Sequence, residues 1–372
     1  MFASRYFRRA DFVLLAAVLA LVAIGCVMIF SCTRTGLGGS GAAQWAKLRS
    51  QLVWVALGLV VLILTMSFDY MRLPSLYLPI YGVSLALLGI VLLMPPVRGT
   101  HRWIALGPLN LQPSELAQIA LLVTIAAVVS AKEGLHDFLS VSKVFLWLVR
   151  PIGLILRQPD LGTPVVIFTT WLVVMVFAGA RWPHLGGYVA ALLLLFSAAW
   201  FSGAIEDYQK QRLLIFMHPQ DDPMGDGYQP LQALTAIGNG GFFGKGLFKG
   251  PQTGGHYVPD QHTDFIFTGI AEELGFVGAV AVLALFGVLL WRCTVAIAEA
   301  KDTFGRLLAA GVTAVIGLHV MLNIAMTVGF APVKGMPLPL VSYGGSSMIV
   351  TMAALGLVQN VYMRRHKIVF GE

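Results

Sequence analysis

An all-α polytopic membrane protein is predicted, with ten transmembrane helices and one long loop between helices 7 and 8. Three observations carry that prediction. Of 372 residues, 57% are hydrophobic and 12% are charged, whereas a soluble domain carries about 25% charged residues. The mean hydropathy is +0.79. The apolar residues fall in blocks of the length, about 20 residues, that crosses a hydrocarbon core. With 25 Lys plus Arg and 18 Asp plus Glu, a soluble protein of this size could not cover its surface. Soluble enzymes, disordered chains and disulfide scaffolds are excluded, and the chain reads as a single membrane domain over 1–372.

The first block, 12–32, follows Arg5, Arg8 and Arg9 and ends near Cys26 and Cys32. Ala23-Ile24-Gly25-Cys26 faintly resembles a lipoprotein cleavage site, but the block is too long for a signal and further spans follow, so it reads as the first helix. Spans two to four cover 51–68, 76–94 and 115–131. The fifth, 142–158, is the weakest, being short and interrupted by Arg150 and Pro151. Spans six and seven cover 162–179 and 185–202. The connection 203–263 carries Asp221, Asp222 and Asp226 near Pro219 and Pro223, then a glycine-rich stretch from Gly238 to Gly250. A structureless connection of that length is usually functional. The last spans are 265–291, which holds Glu272 and Glu273, then 305–330 and 340–363.

Basic residues orient the bundle. Arg5, Arg8 and Arg9 at one end, and Arg364, Arg365 and Lys367 at the other, place both termini in the cytoplasm, which agrees with an even number of spans. The outer side is then unusually basic, with Arg98, Arg102, Arg157, Lys210, Arg212, Lys245, Lys249 and Lys334. An anionic ligand suits that face better than nucleic acid, because the charges are scattered between apolar blocks. Cys26, Cys32 and Cys293 form neither a disulfide framework nor a metal spacing with histidine.

Three acids stand at span boundaries: Glu115 at the start of the fourth helix, Asp160 before the sixth and Asp264 at the start of the eighth. Each one alone is explained by capping or by the helix dipole. Even-numbered helices all start on one face, however, so the three carboxylates share it with positive helix ends and basic side chains. Such a face suits a phosphate-bearing lipid, with one carboxylate free to act as a base. Ionisable groups at membrane depth are functional candidates by default.

Other polar residues and motifs carry functional and structural readings side by side. Gly238-Asn239-Gly240-Gly241-Phe242-Phe243-Gly244-Lys245-Gly246 is not a P-loop, since Gly246 follows the lysine, nor a dinucleotide fingerprint. It reads as a flexible loop that presents Lys245 and Lys249, or as a surface turn. Glu272 and Glu273 read first as structural pairing with a neighbouring helix, with snorkelling or a place in a proton path as the alternatives. His262 either orients Asp264, binds substrate, or is an exposed loop histidine. His319 reads as an interhelical hydrogen-bond partner. The segment from Pro337 to Ser347, with Ser342 within it, either lines a polar groove or turns the chain.

These segments resemble the SEDS family (shape, elongation, division and sporulation) from about Asp11 to Arg365. The resemblance rests on Arg102-Trp103, Gln112-Pro113-Ser114-Glu115, Gln158-Pro159-Asp160-Leu161-Gly162-Thr163, Asp221-Asp222-Pro223, His262-Thr263-Asp264-Phe265-Ile266-Phe267, Ala271-Glu272-Glu273-Leu274-Gly275 and Pro339-Leu340-Val341-Ser342-Tyr343-Gly344-Gly345-Ser346. Gly244-Lys245-Gly246, Gln261-His262-Thr263 and Pro337-Leu338-Pro339 are similar to the branch that acts in cell elongation rather than division. The resemblance implies a ten-helix peptidoglycan glycosyltransferase of the bacterial inner membrane. Such an enzyme polymerises lipid II at the outer leaflet with inversion, and its partner is a class B penicillin-binding protein of the elongation complex.

Carried over motif by motif, Asp264 is the expected general base. Arg102, Glu115, Asp160, Arg212 and Lys245 are expected to line the substrate cavity, with His262 and Ser342 as further substrate contacts. A divalent cation such as Mg²⁺ would suit pyrophosphate, but no dedicated metal site is spelled out. One departure stands out: many relatives carry Lys three residues after the motif glutamate, where this chain has Gln118. Two other readings compete. A lipid II flippase or other transporter should show repeated halves with broken helices at midplane, and neither is evident. A scaffold that only recruits the transpeptidase needs no convergent acids or cations.

Overall fold

The computed structural model describes residues 9–34, 42–96, 100–106, 109–131, 137–158, 160, 162–203, 207–225, 227–332 and 335–365. Arg5, Arg8, Arg98, Asp226, Lys334 and Lys367 lie outside them, as does the side chain of Arg212. Among the described residues, nine helices are long and apolar enough to cross a membrane, and Gly162–Phe177 is a shorter apolar one. In chain order the helices are α1 (Phe12–Cys32), α2 (Ala42–Ser67), α3 (Tyr77–Leu93, led in by a 3-10 turn at Tyr70–Leu76), α4 (Pro113–Ser130), α5 (Phe138–Leu156), α6 (Gly162–Phe177) and α7 (Trp182–Phe201). They continue with α8 (Asp207–Met217), α9 (Tyr228–Gly240), α10 (Pro251–Gly254), α11 (Ile266–Ala298), α12 (Thr303–Thr327) and α13 (Gly345–Met363).

Each expected span coincides with a helix, and two expectations are corrected. The connection 203–263 is not structureless, because α8, α9 and α10 lie within it. The fifth span is not interrupted: α5 runs through Pro151. Proline has no N–H to offer the carbonyl four residues earlier, and a bare carbonyl is costly in lipid. Here that carbonyl, Trp147 O, accepts a hydrogen bond from the Tyr81 hydroxyl of α3 at 2.9 Å. A neighbouring helix has replaced the missing donor. A short antiparallel hairpin, β1 (Ile104–Leu106) and β2 (Leu109–Leu111), leads into α4.

The interior of the bundle is built from α4, α12 and α13, which pack on one another while α13 also packs along α2 and α11 along α1. On α7, by contrast, only Leu185 is buried, so its apolar side chains face lipid. At the end opposite Asp264, Asp11 caps α1 through Val13 N and Leu14 N. The same carboxylate accepts from Arg292 Nε of α11 at 2.5 Å. Gln359 of α13 brackets the Asp11 backbone, accepting from its N–H and donating to its carbonyl. Three helices are tied at one buried acid.

Candidate active site

Asp264 ends the loop that enters α11. Its backbone N–H donates to Asp260 O at 3.2 Å. Its carbonyl accepts from the Asn323 side-chain amide of α12 at 2.8 Å, and the same amide donates to Met336 O at 2.6 Å. Asn323 is fully buried. One amide thus pins two loops together at the end of the bundle. Gly335 sits over the carboxylate: a Cβ built there would lie 3.3 Å from Asp264 Oδ2, and its φ of +63° is one that side chains rarely adopt.

Asp264 lines a cavity of about 470 Å³ together with Arg102, Thr100, Gln229, Gly335 and apolar side chains from α8, α9 and α12. Arg102 enters from the segment before β1 and donates through Nε to Gln158 O at 3.0 Å. Gln158, itself buried, donates to Leu88 O of α3. The guanidinium is therefore oriented by the ends of α3 and α5, while the carboxylate is oriented by α12. A carboxylate and a guanidinium in one cavity can accept a proton from a hydroxyl and hold an anionic group.

The other expected site residues are distributed elsewhere. Asp160 is buried and accepts from Gly162 N at 3.0 Å, Thr163 N at 3.2 Å and Thr163 Oγ1 at 2.8 Å. That is a helix cap on α6, with three donors converging on one carboxylate. Glu115 lies in the first turn of α4 and lines a separate cavity of about 40 Å³ with Gln118, His319, Ser347 and Thr351. Its buried Oε2 finds no hydrogen-bond partner among the described residues, and the cavity has room for water. Among the described residues, His319 makes no hydrogen bond between helices of the kind expected. Its Nδ1 bonds Val315 O, one turn back on α12, at 2.8 Å.

His262 Nε2 accepts from Lys47 Nζ of α2 at 2.8 Å, because an ammonium can only donate. The His262 carbonyl accepts from Tyr343 N at 2.9 Å. Ser342 is buried, and its hydroxyl accepts from Leu338 N at 2.8 Å, which closes the turn leading into α13. These two residues brace the loops beside Asp264. Arg212 belongs to α8, whose Ile215, Phe216 and Met217 line the Asp264 cavity.

Lys245 is exposed on a loop whose backbone is hydrogen-bonded to α11. The α11 helix breaks at Gly275, with φ 68° and ψ −166°, a backbone conformation only glycine adopts readily. The loop supplies the partners the break leaves wanting: Lys245 N donates to Glu272 O, Gly246 N to Glu273 O, Phe276 N to Gly241 O and Val277 N to Phe242 O. Contact is so close that a Cβ at Gly244 would lie 2.2 Å from Glu273 O.

Glu272 and Glu273, both buried, anchor the same region. Glu272 accepts from Gln252 N at 2.7 Å, Thr253 N at 2.8 Å and Thr253 Oγ1 at 2.6 Å. Glu273 accepts from Ser31 Oγ of α1 at 2.5 Å and Phe248 N at 3.1 Å. Gln261 then joins Thr253 to Thr268, each at 3.0 Å. The chain of bonds runs from the loop to the residues flanking Asp264.

Sequence reasoning missed Asn323 and Lys47, and it named Gln261 only as part of a motif, with no role. A polar residue within an apolar span was the available signal for Asn323; nothing local marked Lys47. Among the described residues no group of three or more His, Cys, Asp or Glu could hold a metal ion.

Comparison with known proteins finds relatives along nearly the whole chain. Residues 12–367 match the model of the FTSW_RODA_SPOVE family, described as cell cycle proteins. Over 360 residues the chain is 34% identical to the peptidoglycan glycosyltransferase MrdB of Escherichia coli K12, covering 95% of this chain and 94% of that one. Over 358 residues it is 35% identical to a Trichlorobacter lovleyi protein named "Probable peptidoglycan glycosyltransferase FtsW", covering 94% and 92%. The crystal structure of the Thermus thermophilus rod shape determining protein RodA superposes with a TM-score of 0.72 at 32% identity, covering 96% of this chain and 98% of that one. A chain from a peptidoglycan synthase complex, described as coordinating polymerization and crosslinking, superposes with a TM-score of 0.83 at 35% identity, covering 96% and 99%.

Proposed function

The chain belongs to the FTSW_RODA_SPOVE family of cell cycle proteins, and from that premise we infer how its cavity works. It is a multi-pass membrane protein and, like the relatives so named, a peptidoglycan glycosyltransferase. In our reading it polymerises lipid II, a disaccharide-pentapeptide carried on undecaprenyl pyrophosphate. The single observation that carries the reading is the cavity that Asp264 and Arg102 both line.

Asp264 would take the proton from the 4-hydroxyl of the acceptor sugar as that oxygen bonds the anomeric carbon of the donor. The bond from that carbon to the pyrophosphate breaks, the configuration inverts, and the electron pair leaves with the lipid pyrophosphate. Arg102 would hold the charge that develops there. Mg²⁺ is held by one or two carboxylates plus substrate phosphates. Among the described residues that line the cavity, Asp264 is the one acid, and here it serves as base. Such an ion would therefore be held by the substrate's pyrophosphate, where it would offset negative charge.

An apolar groove of about 860 Å³ between α2, α3, α4 and α13 opens on the bundle side and suits the isoprenoid tail. The basic termini favour a cytoplasmic location for both, with Asp264 on the periplasmic face of a bacterial inner membrane. The partner would be a class B penicillin-binding protein, in line with the relative solved in a polymerizing and crosslinking complex. Identities of 34% to MrdB and 35% to the FtsW relative are alike, so assignment to elongation leans on the motifs around Lys245, His262 and Pro337.

The test is lipid II polymerisation by the purified complex with its transpeptidase, comparing wild type with Asp264→Ala after both are shown folded and partner-bound. Strands from wild type and none from the variant are expected. Polymerisation by the variant at the wild-type rate would overturn the mechanism. If neither makes strands while a control polymerase does, transport or scaffolding is the better account.

A further inference from the structure

The segment Gly241–Gly250 contributes no residue to the lining of the Asp264 cavity, yet it is built with care. Its backbone closes the break at Gly275, and Glu273 holds Phe248 N. Several of its side chains are exposed, while the Phe248 ring also meets Phe30 of α1 edge-on at 5.9 Å. Phe243 is 80% exposed, Phe242, Leu247 and Phe248 are exposed as well, and Lys245 and Lys249 are interleaved with them. Four large apolar groups displayed beside two lysines are costly to leave in water.

Depth identifies what covers them. Beyond the break, Phe276–Ala298 forms about 23 residues of helix, roughly 34 Å long, close to the thickness of a hydrocarbon core. The break therefore marks where α11 leaves the hydrocarbon, and the loop bonded to it lies at headgroup level. Phe242 stacks on Phe276, with centroids 5.7 Å apart. Phe276, Val277, Val280 and Leu283 are exposed along one face of α11, so the loop's apolar surface continues a lipid-facing stripe. Aromatic rings beside lysines at that level are the composition of a membrane-interface anchor, with lysine reaching phosphate and the rings entering the acyl boundary.

We propose that Gly241–Gly250 is such an anchor: Phe243 and Leu247 enter the phospholipid leaflet on the Asp264 face, and Lys245 and Lys249 take the phosphates of anionic headgroups. The loop bonds directly to Glu272 and Glu273, and from Glu272 through Thr253 and Gln261 to the turn that carries Asp264. Anchoring it fixes the height of the carboxylate relative to the headgroup plane, where a lipid pyrophosphate lies.

The experiment uses the full chain in vesicles of phosphatidylglycerol and phosphatidylcholine, without another protein, and the emission that Phe243→Trp adds to wild type. The added emission is expected to be blue-shifted, quenched by lipids brominated near the headgroup more than by lipids brominated near the chain end, and insensitive to aqueous iodide. Leu247→Trp is the second reporter if the first folds poorly. Replacing phosphatidylglycerol by phosphatidylcholine should weaken the quenching, and Lys245→Gln with Lys249→Gln should remove that lipid dependence. Emission quenched by iodide but not by brominated lipid places the loop in water and overturns the proposal. Emission shielded from both quenchers means that protein covers the patch, which overturns it equally.

Discussion

The side-chain amide of Asn323 donates to the backbone carbonyl of Asp264 at 2.8 Å, although the two residues lie 59 positions apart. Because the same amide also holds Met336 O, it sets the height of the carboxylate relative to the loop that carries Gly335. Asn323→Leu leaves two carbonyls, that of Met336 buried and that of Asp264 half-buried, without their donor. A loss of about 2 to 4 kcal/mol in stability is expected, together with a fall in kcat larger than any change in KM. Thermal unfolding and lipid II turnover measure the two effects; unchanged turnover would mean that Asn323 only stabilises the fold.

Arg102 is expected to act on charge and on geometry together. Arg102→Gln should lower polymerisation by roughly tenfold to a hundredfold, the scale of one charge-assisted contact to a transition-state anion. Arg102→Lys should recover only part of it, since an ammonium cannot both hold Gln158 O and present a planar fork. Initial rates of lipid II consumption for the three proteins make the comparison. Full recovery by lysine would show that charge alone matters.

Glu272 holds three donors of the α10 turn. Glu272→Gln turns part of that acceptor into a donor facing other donors, so a destabilisation of about 3 kcal/mol or more is expected. Loss of order should reach Gln261 and the Asp264 turn before the rest of the bundle. Hydrogen exchange across 250–264 would show it, and protection equal to wild type there would contradict the anchoring role.

At the opposite end, Asp11→Asn should weaken the contact with Arg292 at 2.5 Å and the tie between α1, α11 and α13. Asp11 is almost fully buried, so the expected cost is about 1 to 3 kcal/mol. Turnover per folded molecule should not change, because the pair is remote from the cavity. A double-mutant cycle with Arg292→Gln isolates the pair, and a coupling near zero would refute it.

Tyr81→Phe removes the donor that answers Pro151. Interhelical hydrogen bonds within membranes contribute on average about 0.6 kcal/mol and at most about 1.7 kcal/mol, and the larger value is expected here because Trp147 O has no N–H of its own helix to return to. Pro151→Ala in the same background should restore the loss. Unfolding in mixed micelles compares the three proteins.

How much of this was legible in the chain follows from the range of each cause. The spans were legible because transfer of about 20 apolar residues into hydrocarbon is a local property. Asp160 as the cap of α6 and Glu115 in the first turn of α4 were legible for the same reason: cap chemistry reaches only three residues. Pro151 misled because its missing hydrogen bond was met by Tyr81, 66 positions from Trp147, and no local rule sees that donor. The glycine-rich stretch misled similarly, since its need for close approach to Gly275 comes from another element.

The sequence by itself determined that this chain is a bundle of membrane helices with acids gathered at the starts of α4, α6 and α11. Only the tertiary structure decided that Asp264 shares a cavity with Arg102 while Asp160 is spent on its own helix and Glu115 faces a smaller cavity with His319. The physical reason is that lipid is as apolar as the side chains it replaces, so hydrophobicity places helices in the membrane without choosing their neighbours. Packing and buried hydrogen bonds such as Asn323 to Asp264 make that choice, and they join residues that no sequence spacing relates.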